Sequence, residues 1–266
     1  MPKAHPSSLR ASVRLLRLVG HLLIGTLLLL GFTLLRLLGR PLRSVPAVVR
    51  WWHQRVLPIL GIEIAEVHGE PAMNTLIVSN HVSWIDIPVL GSLIETDFLS
   101  KAEVREWPLI GWMSAQAGTL FIKRGGNQTT DLSEQIEARV RAGKPVVIFA
   151  EGTTSEGWQV RRFFPRLLGA AQQAGVAVQP VALRYGTNAA PDEIAPFVGD
   201  DSLVPHGWQV LRQPRIRVEV HFLEPIASEG VDRRTLATQC RHAVASALEV
   251  PLDAAPRARA HEEIAA

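Results

Sequence analysis

Residues 18–35 read LVGHLLIGTLLLLGFTLL, an uncharged and almost wholly apolar run held between Arg17 and Arg36. A helix needs roughly 17–25 such residues to cross the hydrocarbon of a bilayer, so this run is long enough. It has no polar stripe, which argues against an ordinary core helix. A cleaved signal peptide usually has a shorter apolar core and a small-residue cleavage site, and the best site here, near Val45-Pro46-Ala47, is poor. The run therefore predicts membrane attachment. Lys3, Arg10, Arg14, Arg17, Arg36, Arg40, Arg43, Arg50 and Arg55 surround it, with no acid before Glu63. Because apolar residues fill the spaces between these cations, they suit anionic lipid better than nucleic acid. Cations on both flanks give no clear orientation, which leaves room for a single span or for a hairpin with both ends on one side. Trp51 and Trp52, beside Arg50 and Arg55, suit either a helix at the headgroup level or packing on the domain that follows.

From about residue 62 the pattern changes to short apolar strands alternating with helices. Residues 74–79, 119–123, 145–149, 176–183 and 216–223 read as strands. The first four are nearly continuous apolar runs, as in strands covered on both faces. Helices are predicted near 84–94, 107–117, 128–142, 165–175 and 232–248. This order implies one α/β domain with a largely parallel or mixed central sheet flanked by helices. The chain divides into an N-terminal helical segment (1–60), the domain (61–250) and a flexible tail (251–266). The single cysteine, Cys240, leaves no internal disulfide or multi-cysteine metal site. No metal and no cofactor are expected.

Three clusters carry polar chemistry at strand ends. The first is Asn80-His81-Val82-Ser83-Trp84-Ile85-Asp86, directly after residues 74–79. Five residues apart on a continuous helix, His81 and Asp86 would diverge by about 140°, but across a strand-to-helix corner they can meet. A histidine whose other ring nitrogen is held by a carboxylate is a competent general base near neutral pH. The competing role for this segment is a capping box, with Ser83 as N-cap and Asp86 at N3. The second cluster ends a strand in Lys123-Arg124-Gly125-Gly126, cations and glycines suited to an anion. The third, Glu151-Gly152-Thr153-Thr154-Ser155, is a tight polar loop in which Glu151 can bond a substrate hydroxyl. No nucleophile elbow, Walker A sequence, dinucleotide fingerprint or H-E-x-x-H pattern is present, which removes support for a serine hydrolase, nucleotidase or zinc peptidase.

Together the clusters resemble the glycerolipid acyltransferase family, whose best-known members acylate lysophosphatidic acid. N-H-V-S-W-I-D carries its H-x4-D motif. G-T-L-F-I-K-R resembles its phosphate-contacting block, F-A-E-G-T-T-S its F-P-E-G-T-R-S block, and Val178-Gln179-Pro180-Val181 its fourth, V-x-P-V block. The four stand in order over about 105 residues, from Asn80 to Arg184. Ala150 replaces the usual proline, and Thr154 the usual arginine, which removes one phosphate contact. The resemblance implies a membrane-bound O-acyltransferase that moves a fatty-acyl group from acyl-CoA or acyl carrier protein to the hydroxyl of 1-acyl-sn-glycerol 3-phosphate. The alternative acceptors are lyso-ornithine lipid or another lysolipid, and a lipid hydrolase or a non-catalytic membrane scaffold ranks below both. On this resemblance His81 is the base and Asp86 orients it. Lys123 and Arg124 bind phosphate of the acceptor or the donor, and Glu151, Gly152 and Thr153 position the acceptor. The partners implied are a lysolipid, the thioester donor and the membrane, with no nucleic acid, and the domain would face the cytoplasm.

Overall fold

A computed structural model describes residues 5–40, 42, 44–122, 129–187 and 189–252. Two helices come first: α1 (Ser8–Leu37) and α2 (Val45–Leu60). The domain then runs β1 (Ile62–His68), β2 (Leu76–Ser79), α3 (Asp86–Leu93), β3 (Asp97–Lys101), a 3-10 turn (Ala102–Glu106), α4 (Ile110–Gln116) and β4 (Leu120–Ile122). It continues with α5 (Thr129–Arg141), β5 (Val146–Phe149), α6 (Gly169–Ala174), β6 (Val178–Thr187), β7 (Ala190–Pro191), α7 (Leu203–Arg212), β8 (Ile216–Phe222) and α8 (Arg233–Leu248).

The sheet order is β1-β8-β6-β2-β5-β3-β4, with β7 paired to β6. β6, β2, β5, β3 and β4 are mutually parallel, and β8 joins β6 antiparallel, so the sheet is mixed. Every residue of β2 is buried, because this strand lies at the centre with helices on both faces. One apolar layer joins Val56, Leu57 and Leu60 of α2, Val89 and Leu90 of α3, and Val210 and Leu211 of α7. The other joins Leu132, Ile136 and Val140 of α5 to Leu236, Cys240 and Val244 of α8.

The five predicted strands and five predicted helices form, with ends moved by a few residues. Besides the 3-10 turn, three strands and one helix of the described domain escape a reading of the sequence. β1 carries Glu63 and Glu66 because it is an edge strand whose side chains are largely exposed. β7 is only two residues long, and β3 (Asp97–Lys101) has a charged residue at each end. α7 contains Pro205 and Gly207, which mimic a loop, but its Val210 and Leu211 are drawn into the core.

The 30-residue α1 does not project away from the domain. Arg14 donates to the carbonyls of Leu211, Gln213 and Pro214, and Arg10 to that of Arg212 at 2.8 Å, so two cations meet the carbonyl end of α7. Further along, His21 stacks on Trp52 with centroids 4.6 Å apart, and the Trp52 indole donates to the His21 carbonyl. Gly25 is packed so closely that a Cβ would stand 2.6 Å from the Trp52 indole nitrogen and 2.7 Å from the Met113 methyl. The opposite side carries Leu9, Val13, Leu16, Leu23, Leu27, Leu30, Leu34 and Leu37, all exposed, at alternating spacings of three and four or their sum. One apolar stripe therefore runs unburied along the helix. The two tryptophans divide the roles open to them: Trp52 packs inward, whereas Trp51 is exposed beneath the Arg55 guanidinium.

Candidate active site

β2 ends at Ser79, paired with Phe149 of β5 on one side and Val181 of β6 on the other. Since all three strands are parallel, the loops leaving β2 and β5 emerge at the same sheet edge, where α/β folds place their ligands. Asn80 closes the ladder with its side chain: its amide donates to the Leu183 carbonyl at 3.0 Å and its carbonyl accepts the Leu183 N–H at 2.9 Å. The chain then turns sharply, and α3 begins at Asp86.

Asp86 is fully buried, and both of its oxygens are committed. Oδ2 lies 2.7 Å from His81 Nδ1 and accepts the backbone N–H groups of Val82 and Ser83 at 2.8 and 3.0 Å. Oδ1 accepts the Tyr185 hydroxyl at 2.7 Å. Four donors hold a buried carboxylate in one orientation, which is what burial of such a group demands. Only half of the capping box read from the sequence forms: the Ser83 N–H donates to Asp86 Oδ2, but the Ser83 hydroxyl does not answer it. Asp86 is the first helical residue and not the third, Ile85 occupies the cap, and the buried Ser83 hydroxyl has no partner among the described residues. The same Asp86 oxygen also takes the Val82 N–H and the His81 ring nitrogen, so the half-formed cap and the His81 contact share one group.

The His81 ring is stacked on Phe149 at 4.0 Å and 14°. Its carbonyl accepts the Ser155 N–H at 2.8 Å, tying the first cluster to the third. The side chain is 19% exposed. With Nδ1 held by Asp86, the geometry leaves Nε2 to meet a substrate proton.

The loop after β5 is fixed by the Ala150 N–H on the Ser79 carbonyl and the Phe164 N–H on the Ala150 carbonyl. Gly152 has φ +66°, a region that side chains avoid, and a Cβ there would press on the Phe164 ring at 3.1 Å. Thr153 is half-buried in the same turn. Thr154, standing where the resemblance has arginine, bonds the Phe197 carbonyl through its hydroxyl. Glu151 is only 2% exposed, and no well-formed hydrogen bond reaches either carboxyl oxygen among the described residues, although the Ser155 hydroxyl and the Arg161 N–H lie alongside. Burial, aided by the nearby Asp86 charge, pushes its carboxyl up to about 8; Ser155 and Arg161 favour the charged form but are outweighed. At neutral pH Glu151 is thus mainly a neutral acid, able to donate as well as to accept.

Lys123 and Arg124 lie outside the described residues. β4, which leads to them, ends at Ile122, and its neighbour β3 is parallel to β5. His81, Asp86, Glu151, Gly152 and Thr153 are brought together, and Tyr185 joins them. Sequence reading ended that strand at residue 183 and so passed over Tyr185. The signal was there, since Val181, Leu183 and Tyr185 alternate onto one face of β6 and join one apolar cluster.

Beside this loop cluster lies an open cavity of about 270 Å³, lined by Glu156, Trp158, Asp192, Glu193, Asp201 and His206 among others. Its walls are coupled to the first cluster: Trp84 donates to His206 at 3.0 Å, and the Phe197 N–H bonds the Val82 carbonyl at 2.9 Å.

A family model described as acyltransferase matches residues 64–184. The lyso-ornithine lipid O-acyltransferase of Pseudomonas aeruginosa is 45% identical over 245 residues, covering 90% of this chain and 94% of that protein. A 1-acyl-sn-glycerol-3-phosphate acyltransferase of Neisseria gonorrhoeae is 28% identical over 187 residues, covering 70% of this chain and 73% of that protein. The crystal structure of the 1-acyl-sn-glycerophosphate acyltransferase of Thermotoga maritima superposes with a TM-score of 0.66 at 24% identity, covering 90% of this chain and 96% of that one. The shared fold is therefore a mixed α/β domain preceded by an apolar helix.

Proposed function

The chain belongs to the acyltransferase family, and from that premise we propose that it transfers a fatty-acyl group to the hydroxyl of a lyso-ornithine lipid. This reverses the order of acceptors read from the sequence, where 1-acylglycerol 3-phosphate came first. The single observation that carries the reversal is the 45% identity along nearly the full length of a lyso-ornithine lipid enzyme, against 28% for a glycerophosphate one. Two features of the site support it. Thr154 spends its side chain on the Phe197 carbonyl where an arginine would offer a phosphate contact. The neighbouring cavity carries four carboxylate side chains, which favour the cationic amine of ornithine and repel a phosphate.

In this reading His81 Nε2 takes the proton of the acceptor hydroxyl while its oxygen attacks the thioester carbonyl carbon. Asp86 fixes the ring and stabilises the imidazolium. The carbon–sulfur bond breaks, and the thiolate leaves with the proton that His81 returns, giving an ester and a free thiol. A thioester is already activated, so a base and tight positioning suffice without an acyl-enzyme. Neutral Glu151 hydrogen-bonds the acceptor from the opposite loop, with Gly152 and Thr153 shaping that wall. Lys123 and Arg124 take the phosphate of the donor, acyl-CoA or acyl carrier protein.

The exposed stripe of α1 enters the lipid while its other side stays on the domain. Helix α1 thus lies against the membrane as one arm of a hairpin with α2, and the catalytic domain stays on the cytoplasmic side with the donor. An acceptor panel on purified membranes tests the assignment: lyso-ornithine lipid should be acylated with a kcat/KM at least about tenfold above that for 1-acylglycerol 3-phosphate. A preference for the phosphate acceptor would restore the other reading.

A further inference from the structure

The Asp86 carboxylate makes an unequal set of bonds. Three donors converge on Oδ2, all from its own loop, whereas Oδ1 has the Tyr185 hydroxyl as its one partner among the described residues. Tyr185 is the only tyrosine in the chain, lies on β6 and is 4% exposed. It sits one residue past the segment matched by the acyltransferase model. Its own backbone carbonyl accepts the Asp192 N–H at 3.0 Å, so the same residue is anchored on the wall of the acid-lined cavity.

We propose that Tyr185 is a positioning residue for the transfer reaction, clamping Asp86 from the sheet so that the carboxylate presents Oδ2 to His81. The proposal rests on the acyl-transfer reading of the His81–Asp86 pair. Without the phenol, Oδ1 is a buried oxygen with no donor, and the carboxylate is free to turn about its χ2 bond and share its charge differently with His81. The phenol also draws charge from the carboxylate; a carboxylate relieved of one donor is more basic and holds an adjacent imidazolium more tightly. Burial and the charges of Asp86 and Asp192 hold the Tyr185 hydroxyl well above its ordinary range, so it remains a donor across the working pH. The ionisable groups around this pair are His81 and Asp86 on the first loop, Glu151 and Arg161 on the loop after β5, Asp192 after β7, and His206 of α7 behind Trp84.

Tyr185→Phe tests this. We expect kcat to fall about tenfold, the loss of one hydrogen bond to a charged group, with KM for lysolipid and thioester within about twofold of wild type. The acidic limb of kcat/KM should move up by roughly half a pH unit or more, because the imidazole must lose a proton it now holds more tightly. An unchanged acidic limb, or wild-type kcat, overturns the proposal. A second arm needs neither turnover nor a folded Tyr185→Phe: with a ¹³C label at the phenol carbon, the single tyrosine gives one resonance. That resonance should shift in Asp86→Asn and stay unchanged in Lys101→Gln. Insensitivity to Asp86→Asn overturns the clamp whatever the acceptor proves to be, whereas a shifted resonance in a protein that transfers no acyl group places the fault in the transfer reading.

Discussion

The edge of the sheet at β2 and β5 and the outer face of α1 are built in opposite ways. At the sheet edge the polar groups are buried and most are paired: Asp86 accepts four hydrogen bonds, and Asn80 completes a strand ladder with its side chain. On α1 apolar groups are exposed while two of its cations, Arg10 and Arg14, turn inward to backbone carbonyls of the α7 end. Each arrangement is costly in water unless a specific environment repays it. The contrast separates two tasks. In the proposed function the sheet edge fixes reacting groups, and α1 fixes where the whole domain sits relative to lipid. Changes in the first should alter chemistry with the membrane partition unmoved, and changes in the second the reverse.

The sharpest break comes from Asp86→Asn, which should lower kcat by about a thousandfold in a detergent assay while vesicle binding stays within about twofold. Loss of vesicle binding in that variant would mean the two regions are not separable. The converse is Leu23→Ser with Leu27→Ser and Leu30→Ser. Three exposed leucines removed from lipid should weaken vesicle partition about a hundredfold or more, with detergent-phase kcat within about threefold. Next in size is Glu151→Gln. A carboxyl raised from 4.5 to about 8 contributes its full stability below pH 4.5, and that contribution is lost as pH rises towards about 8. The wild type should therefore lose on the order of 3 kcal/mol between pH 4 and pH 7 from this group, and the variant should lack that slope in thermal melts. The smallest effect belongs to the cavity wall: Glu156→Gln with Glu193→Gln should raise KM for a cationic acceptor about fivefold and leave an anionic one unchanged or improved.

Much of this contrast can be read from residue order alone, because it follows from local pattern. Apolar runs at 74–79 and 145–149 announce central strands, and the run at 18–35 announces a lipid-facing helix. The meeting of His81 and Asp86 is also legible, as a strand-to-helix corner closes a five-residue gap. What is not legible depends on contacts far apart in the chain. Ser83-x-x-Asp86 has the form of a capping box, but only the Ser83 N–H to Asp86 half forms, and the same oxygen is shared with the imidazole and the Val82 amide. Tyr185 reaches Asp86 across 99 residues: alternation along β6 marks it as inward-facing, but nothing local marks Asp86 as its partner. The inner side of α1 is hidden for the same reason: its docking depends on Gly25 meeting Trp52 and Met113, a fit that a hydropathy profile does not contain.

The central claim is that His81 directs a thioester acyl group onto a lysolipid hydroxyl. Its most direct test is thioester consumption by wild type and His81→Ala in detergent, each with and without lyso-ornithine lipid. The account predicts consumption by wild type that depends on acceptor and yields the diacylated lipid in equal amount, and a loss of about a thousandfold or more in His81→Ala with the melting curve intact. Consumption by wild type that is indifferent to acceptor, or wild-type turnover in His81→Ala, would contradict it.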